Sequence, residues 1–383
     1  MKLLILSLFV FLILPGFLLG QVPSPAHVVI IIEENHNYTQ IIGSSAAPYI
    51  NSLVADSNAA LFTQSYALTH PSQPNYIMLF SGSNQGVVDD NLPANLPFTA
   101  VNFGASLIGA GKSFAGYSED LPYAGFTGTS SGAYARKHNP WVNWQASPTN
   151  GISPTANLPL TSFPVTYDSL PKVSFVVPNQ NNDMHNGSDP ATITTGDTWF
   201  RIHLDGYIQW AKTNNSLLIL TFDEGTTSGN NRIVTLFIGS MVRHGQYNET
   251  LTHYSILRTL EGMFGLPHVG GTVTASPITD CWLSTAVVPG EKGVLPSTIR
   301  LEQNYPNPFN PATTIGFSLS HPGFVSLKVY NVLGREVETL VHEQMNAGIY
   351  EKKLVGGNLS SGVYYYRLIS GDYSATKRLM LLK

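Results

Sequence analysis

The stretch HVVIIIEEN, His27 to Asn35, decides the fold. Its apolar run is too continuous for a strand with one wet face, and it stops abruptly at two carboxylates and an amide. Such a run predicts a central parallel strand buried on both faces, with polar side chains at its carboxyl end. KVSFVVPNQ, SLLILTFDE and RIVTLFIGS, beginning at Lys172, Ser216 and Arg232, read the same way. Helical patterns lie between and beyond them. GDTWFRIHLDGYIQWAKT places Asp197 as a cap ahead of apolar Trp199, Ile202, Tyr207 and Trp210. THYSILRTLEGMFGLP offers Thr252 as cap, then Ile256, Leu257, Leu260, Met263 and Phe264 on one face, with Gly265 at the stop and Pro267 beyond. From about Ala26 to Trp282 the alternation predicts an α/β sheet covered by helices. In open sheets of this kind, ligands gather at the carboxyl ends of the strands.

The bulk composition narrows the partners. Among 383 residues, 20 Lys and Arg stand against 24 Asp and Glu, and charged residues make up only 11% of the chain. No basic run is present, so a nucleic-acid partner is not expected. The 34 Gly and 25 Pro predict a loop-rich, uncharged polar surface. Residues 1–20 combine one lysine, an apolar run broken by Pro15 and Gly16, and a small residue at the end. That pattern predicts a cleaved signal peptide rather than a membrane anchor, with the mature chain starting near Gln21 and no spanning segment after cleavage. The single cysteine, Cys281, rules out an intramolecular disulfide and reads as a buried structural thiol.

After Trp282 the pattern changes. Residues 288–300 read as a linker closing a catalytic domain of 21–287, and short alternating segments such as TTIGFSLS, FVSLKVYN and GVYYYRLIS predict a β-sandwich over 301–383. The charge balance shifts with it: nine Lys and Arg against six Asp and Glu from Thr298 on, eleven against eighteen before it.

The candidate chemistry sits at strand ends and turns. Glu33, Glu34, Asn35 and His36 end the opening strand and suit a divalent metal. Asp223 and Glu224 end SLLILTF, where adjacent carboxylates call for a cation or a proton between them. THPSQPNY, Thr69 to Tyr76, reads as a stiff turn in which Pro71 and Pro74 hold Ser72 in place. A serine hydroxyl needs a base or a metal to attack at neutral pH, and in the absence of a G-x-S-x-G elbow a metal is the better activator than His70. Asp183 and His185 form a D-x-H pair beyond KVSFVVP, able to ligate a metal or hold a phosphate oxygen. Arg136, Lys137, His138 and Asn139 offer an anion-binding cluster, and His253 opens a helix whose dipole favours a neutral imidazole.

Taken together, EENHNY, THPSQPNY, YARKHNPW, NDMHNG with GDTW, TFDEG and HYSILRTLEGMFGLP resemble the phosphoesterase family of the alkaline-phosphatase superfamily, which includes secreted acid phosphatases and phospholipases C. The resemblance runs from about His27 to Trp282. It implies an alkaline-phosphatase-like, mostly parallel sheet and a metal-dependent hydrolase of phosphate esters. It implies Glu34, Asn35, Asp223 and Glu224 as metal ligands, with Ser72 as nucleophile and further metal contact. Asn75 would hold a phosphoryl oxygen, and His138, Asn139, Asp183 and His185 would line the phosphate pocket. Relatives with TFDEDD carry more acids where this chain has Gly225, Thr226 and Thr227, so one divalent ion is expected. A small soluble monoester is the expected substrate; a phospholipase C-type diesterase or a non-catalytic surface scaffold are the alternatives. The tail segments LEQNYPNPFNPATTIGFSL, VYNVLGREVETL, LSSGVYYYRL and SATKRLMLLK resemble the type IX secretion sorting domain of Bacteroidetes. This implies recognition by that export machinery, passage through the outer membrane, and release or surface attachment.

Overall fold

The computed structural model describes residues 22–283 and 298–383, apart from 305, 322, 346 and 347, so the signal segment and most of the linker lie outside the described residues. The chain divides into two units between Leu283 and Ser284.

The first unit is built on an eight-stranded sheet. Its strands are β1 (His27–Glu33), β2 (Ala59–Tyr66), β3 (Phe114–Ser118), β6 (Asn157–Pro159), β7 (Val173–Val177), β8 (Ser216–Phe222), β9 (Arg232–Gly239) and β10 (Gly245–Thr252); the pair β4 (Ser130–Ser131) and β5 (Tyr134–Ala135) forms a separate small hairpin. The order is β10-β2-β9-β8-β1-β7-β3-β6. As expected, β1 is central and pairs in parallel with β7 and β8, and all of β1 beyond His27 is buried. RIVTLFIGS corrects the reading: β9 is equally buried but runs antiparallel to both β2 and β8. An apolar run reports burial on two faces and not direction. The start of β9, rather than its end, therefore lies at the edge where β1, β7 and β8 finish.

Helices cover both faces. Val28, Ile30 and Ile32 of β1 share a core with α3 (Ser72–Ser81), α4 (Phe103–Gly109) and α6 (His253–Phe264). Val29 and Ile31 share the other core with α1 (Tyr38–Ile41), α2 (Pro48–Val54) and α5 (Ala191–Ala211). The period-2 alternation of side chains along β1 thus puts Glu33 on the α5 side, with Glu34 beyond the strand. The α6 reading holds: Thr252 forms a capping box with Ser255, Gly265 closes the helix at φ 65°, and the expected apolar face is buried.

For α5 the reading is corrected. The helix starts at Ala191, so Asp197 lies inside it rather than at its cap. Its carboxylate instead accepts the backbone N–H groups of Tyr49 and Ile50 at 2.9 and 2.8 Å, capping α2 from across the core. Ile202, expected on the buried face, is 67% exposed. Replacing Asp197 by alanine orphans two amides and removes a cap, and is expected to cost about 1–3 kcal/mol in denaturant unfolding with no change in KM. Cys281 is buried, as read.

The second unit has antiparallel sheets of three and four strands. One has the order β11 (Arg300–Leu301), β12 (Ala312–Leu319), β15 (Gly348–Val355); the other β14 (Glu336–Met345), β13 (Gly323–Asn331), β16 (Gly362–Ser370), β17 (Tyr373–Leu381). Alternate residues Ile315, Phe317 and Leu319 of one sheet meet Val325, Leu327, Val329, Tyr366 and Leu368 of the other in a single core, a small β-sandwich. The NYPNPFNP element is pinned to it: buried Asn304 donates to Thr313 Oγ1 at 2.9 Å and gives its backbone N–H to Tyr366 Oη at 2.8 Å. No helix among the described residues is long and apolar enough to cross a membrane.

Candidate active site

THPSQPNY is a helix start rather than a free turn. Pro71 is the N-cap of α3, Ser72 its first residue, and Pro74 still falls in the first turn, where a missing N–H costs nothing. All ten residues of α3 are buried, so Ser72 is held by packing and not by the prolines alone. Ser72 and Tyr76, one helical turn apart, face the same way.

Glu34 is the hub. Ser72 Oγ is 3.1 Å from Glu34 Oε2 and 3.3 Å from Glu224 Oε1. Tyr76 Oη donates to Glu34 Oε1 at 2.6 Å, and its ring stacks on that of His138 at 5.1 Å. His138 Nε2 lies 3.1 Å from Glu34 Oε1, and its Nδ1 is 3.3 Å from Asp183 Oδ2. Asp223 is anchored by the backbone N–H of Asn35, which reaches Asp223 Oδ1 at 3.1 Å from a residue with φ 50°. Asparagine tolerates that left-handed bend, which turns the chain sharply after Glu34. Met184 makes a second bend at φ 75° between Asp183 and His185; it is buried, and it packs so closely on Gly196 of α5 that a Cβ there would strike it. His36 braces the hub through Nδ1 to the Glu34 carbonyl and Nε2 to Asp189, both at 2.8 Å.

Burial sets the electrostatics. It pushes the Glu34 and Asp223 carboxyls well above the usual range, reinforced at Glu34 by Asp223 and Asp183, and at Asp223 by Glu224. Burial likewise raises Asp183 and Glu224, each to about 7. His138 is held well below the ordinary histidine range by burial, then by Lys137 and His185, so its ring is neutral. His253 drops to about 4, chiefly through burial rather than the helix dipole, and its Nε2 faces the Phe222 carbonyl at 3.0 Å.

These groups fit a divalent cation. Ligand atoms of Glu34, His138 and Asp183 lie within 4.8 Å of one another. Asp183 Oδ2, His138 Nε2 and Asp223 Oδ2 are buried with no hydrogen-bond partner. Four carboxylates around a neutral imidazole are strongly self-repelling when ionised, and a cation removes the repulsion while satisfying the orphaned atoms. The structure thus gathers Glu34, Asp183, Asp223, Glu224, Ser72 and His138 at one centre; His138 and Asp183, read from sequence as phosphate-pocket residues, are the pair that joins Glu34 in the ligand cluster.

Two amides do not belong there. Asn75 Oδ1 accepts the backbone N–H groups of Leu68 and Thr69 at 3.1 and 3.2 Å, and its Nδ2 donates to the Thr69 carbonyl at 2.8 Å. The side chain is engaged in folding the approach to α3, with a longer contact from Nδ2 to the Pro71 carbonyl at 3.4 Å. Asn139 is engaged similarly, between Ser118 Oγ and the Ala135 carbonyl. Arg136 is also structural, donating to the Val142 carbonyl and Asn143 Oδ1. His185 remains half-buried beside the centre, its ring 5.9 Å from that of His138. Asn75→Ala is therefore expected to lower stability by about 1–3 kcal/mol while leaving KM for a monoester within twofold; a large rise in KM with unchanged melting would restore Asn75 to the phosphate.

Sequence reasoning missed Tyr76 and the His70–Glu224 contact, and read Lys137 as an anion binder without its partner Asp90. Tyr76 was legible only as the i+4 neighbour of Ser72, which requires α3 to be seen. His70 Nδ1 lies 2.8 Å from Glu224 Oε2, with the histidine side chain 32% exposed. Lys137 Nζ pairs with Asp90 Oδ2 at 2.6 Å; burial opposes its charge, but Asp90, Glu34 and Asp223 hold the ammonium above the ordinary lysine range. The Gly225 position, where relatives place an acid, has no room for one: a Cβ there would run into Asn37 Oδ1.

Residues 44–267 match the phosphoesterase family and residues 303–382 match the secretion system C-terminal sorting domain. A phosphatidylinositol-3-phosphatase of Mycobacterium tuberculosis is 48% identical over 272 residues, 70% of this chain and 86% of that one. A phosphate-repressible acid phosphatase of Penicillium chrysogenum and an acid phosphatase of Aspergillus fumigatus are 32% and 31% identical; the matches cover 65% and 66% of this chain but only 62% and 59% of theirs. A solved alkaline-phosphatase-superfamily protein of Vibrio parahaemolyticus gives a TM-score of 0.49 at 10% identity, covering 87% of this chain and 80% of that one. The chain belongs to the phosphoesterase family, on a mostly parallel α/β sheet, with a type IX sorting domain as its tail. It is a hydrolase of phosphoric esters.

Proposed function

We propose that this protein is a secreted, divalent-cation-dependent phosphomonoesterase of acid phosphatase type that works through a phosphoseryl intermediate on Ser72. The observation that carries this reading is the placement of Ser72 Oγ: at the first position of a buried helix, within 3.3 Å of both Glu34 and Glu224. The phosphatase names of the relatives support a monoester over a phospholipase-type diester. The sorting domain supports export by the type IX system and release or display at the cell surface, with residues 1–20 as signal peptide and 288–300 as linker.

Glu34, Asp183, His138, Asp223 and Glu224 would hold the cation, with Asn35 positioning Asp223. When bound, the cation supplies Lewis-acid stabilisation of the Ser72 alkoxide. The phosphate of the substrate lies at the positive end of α3, where the helix dipole favours an anion. Half-buried His185 faces its outer oxygens. Ser72 gives up its proton by way of Glu224, 3.3 Å from its Oγ, and part-exposed His70, 2.8 Å from the other Glu224 oxygen, passes it to solvent. Ser72 Oγ then bonds to phosphorus as the bond from phosphorus to the ester oxygen breaks, and the leaving oxygen takes its proton from solvent. Water attacks the phosphoserine, the Oγ–P bond breaks, and inorganic phosphate departs.

Acid-quenching the enzyme during turnover and mapping phosphopeptides tests the intermediate. Phosphate on Ser72 is the expected result; steady turnover with the label on another residue, or on none, sinks the assignment.

A further inference from the structure

A small cavity beside the nucleophile, walled by polar side chains and by Leu92 and Ala135, has no part in the steps above. Its volume is about 200 Å³, and its lining includes Asp90, Thr129, Ser130, Lys137, Gln180 and Gln73. Gln73 follows Ser72 in the chain and Lys137 precedes His138, and Glu34 and Asp223 help hold the Lys137 ammonium, so the cavity lies near the centre. Gln73 also fixes the facing loop. Its backbone N–H donates to Asp90 Oδ1 at 3.0 Å, and its side chain donates to the Asp89 and Asn91 carbonyls at 2.8 and 2.7 Å. The loop carrying Asp90 is thereby fastened to the first turn of the helix that presents Ser72. Asp90 Oδ2 reaches Lys137 Nζ at 2.6 Å, and the two side chains keep 33% and 20% exposure.

We propose that this cavity is the subsite for the leaving alcohol, and that the alcohol is small and polyhydroxylated: a sugar or polyol carrying one phosphate. The proposal rests on the phosphomonoesterase reading above. The cavity is smaller than the roughly 300–1,000 Å³ of sites for drug-sized ligands, which matches a small alcohol. Its walls supply an anionic acceptor at Asp90, a cationic donor at Lys137, an amide at Gln180 and hydroxyls at Thr129 and Ser130. Adjacent hydroxyl groups, each donor and acceptor at once, match that mixture, and the exposed Asp90–Lys137 pair is open to them. An aryl leaving group would strand those polar groups, and a site built on hydrogen bonds rejects a ligand that cannot make them.

The test measures kcat and KM of the full chain on glucose 1-phosphate, mannitol 1-phosphate and phenyl phosphate, for wild type, Asp90→Asn and Ser130→Trp. Both substitutions should raise KM for the two polyol esters tenfold or more with kcat within threefold, and change phenyl phosphate by less than threefold. Ser130→Trp should leave competitive inhibition by inorganic phosphate unchanged, because phosphate does not enter the cavity. Equal changes on all three esters in both variants overturn the subsite alone. Wild-type protein that hydrolyses none of the three overturns the phosphomonoesterase reading and the subsite with it.

Discussion

Replacing Ser72 by alanine lowers kcat on a phosphate monoester by on the order of 10³-fold or more, the scale on which loss of a covalent nucleophile is felt. In the proposed mechanism the substitution deletes the atom that bonds to phosphorus and leaves the rest of the centre in place. Glu34 keeps its hydrogen bond from Tyr76, and Glu224 keeps His70. Ser72 is buried, and alanine fits its space in a helix. Melting should therefore shift by only a few degrees, and binding of inorganic phosphate should persist. A mutant that retains a tenth of wild-type activity would show that water, or another hydroxyl, attacks phosphorus directly.

Stripping the protein with a chelator is expected to abolish turnover by at least about 100-fold, with recovery on adding back one divalent metal. The same protein gives a readout independent of activity. In the metal-free state, Asp183 and Glu224 titrate at about 7 instead of the usual 3.8 and 4.5, while Glu34 and Asp223 are raised further. Raised carboxyl values mean that the folded, metal-free protein prefers these groups protonated. Their contribution to stability is complete below pH 4 and disappears as pH rises through 7. Metal binding needs the same groups ionised, so its contribution runs the other way. The difference in Tm between loaded and stripped protein should grow from pH 5.5 to 8, at about 1.4 kcal/mol per pH unit for each proton released on binding. A difference that is flat across this window removes the carboxylates from the metal site.

Which residues share the site was largely legible in the sequence, and how each is used was not. An apolar run that ends in EEN or FDE places carboxylates at the sheet's edge, because a buried strand can expose polar groups only where it stops. That reasoning located Glu34, Asp223, Glu224 and Asp183. It did not foresee the backbone contacts of Asn75 and Asn139, because an amide serves equally well as a ligand for substrate or as a brace for its own backbone, and residue type does not distinguish the two. Asp197 shows the same ambiguity in a carboxylate: a cap by composition, it caps a different helix.

The sequence by itself determined the α/β sheet, the buried core strands, the sandwich tail and the polar residues at the strand ends, since all of these follow from local hydrophobic periodicity and turn chemistry. Only the tertiary structure decided the direction of β9, the helical start at Ser72, and the closing of Glu34, His138 and Asp183 into one cluster. Those depend on long-range contacts between segments as far apart as Ser72 and Glu224, whose meeting no local pattern encodes. The same contacts bury the carboxylates and raise their pKa values, and so turn a set of strand-end acids into a centre that fits a cation.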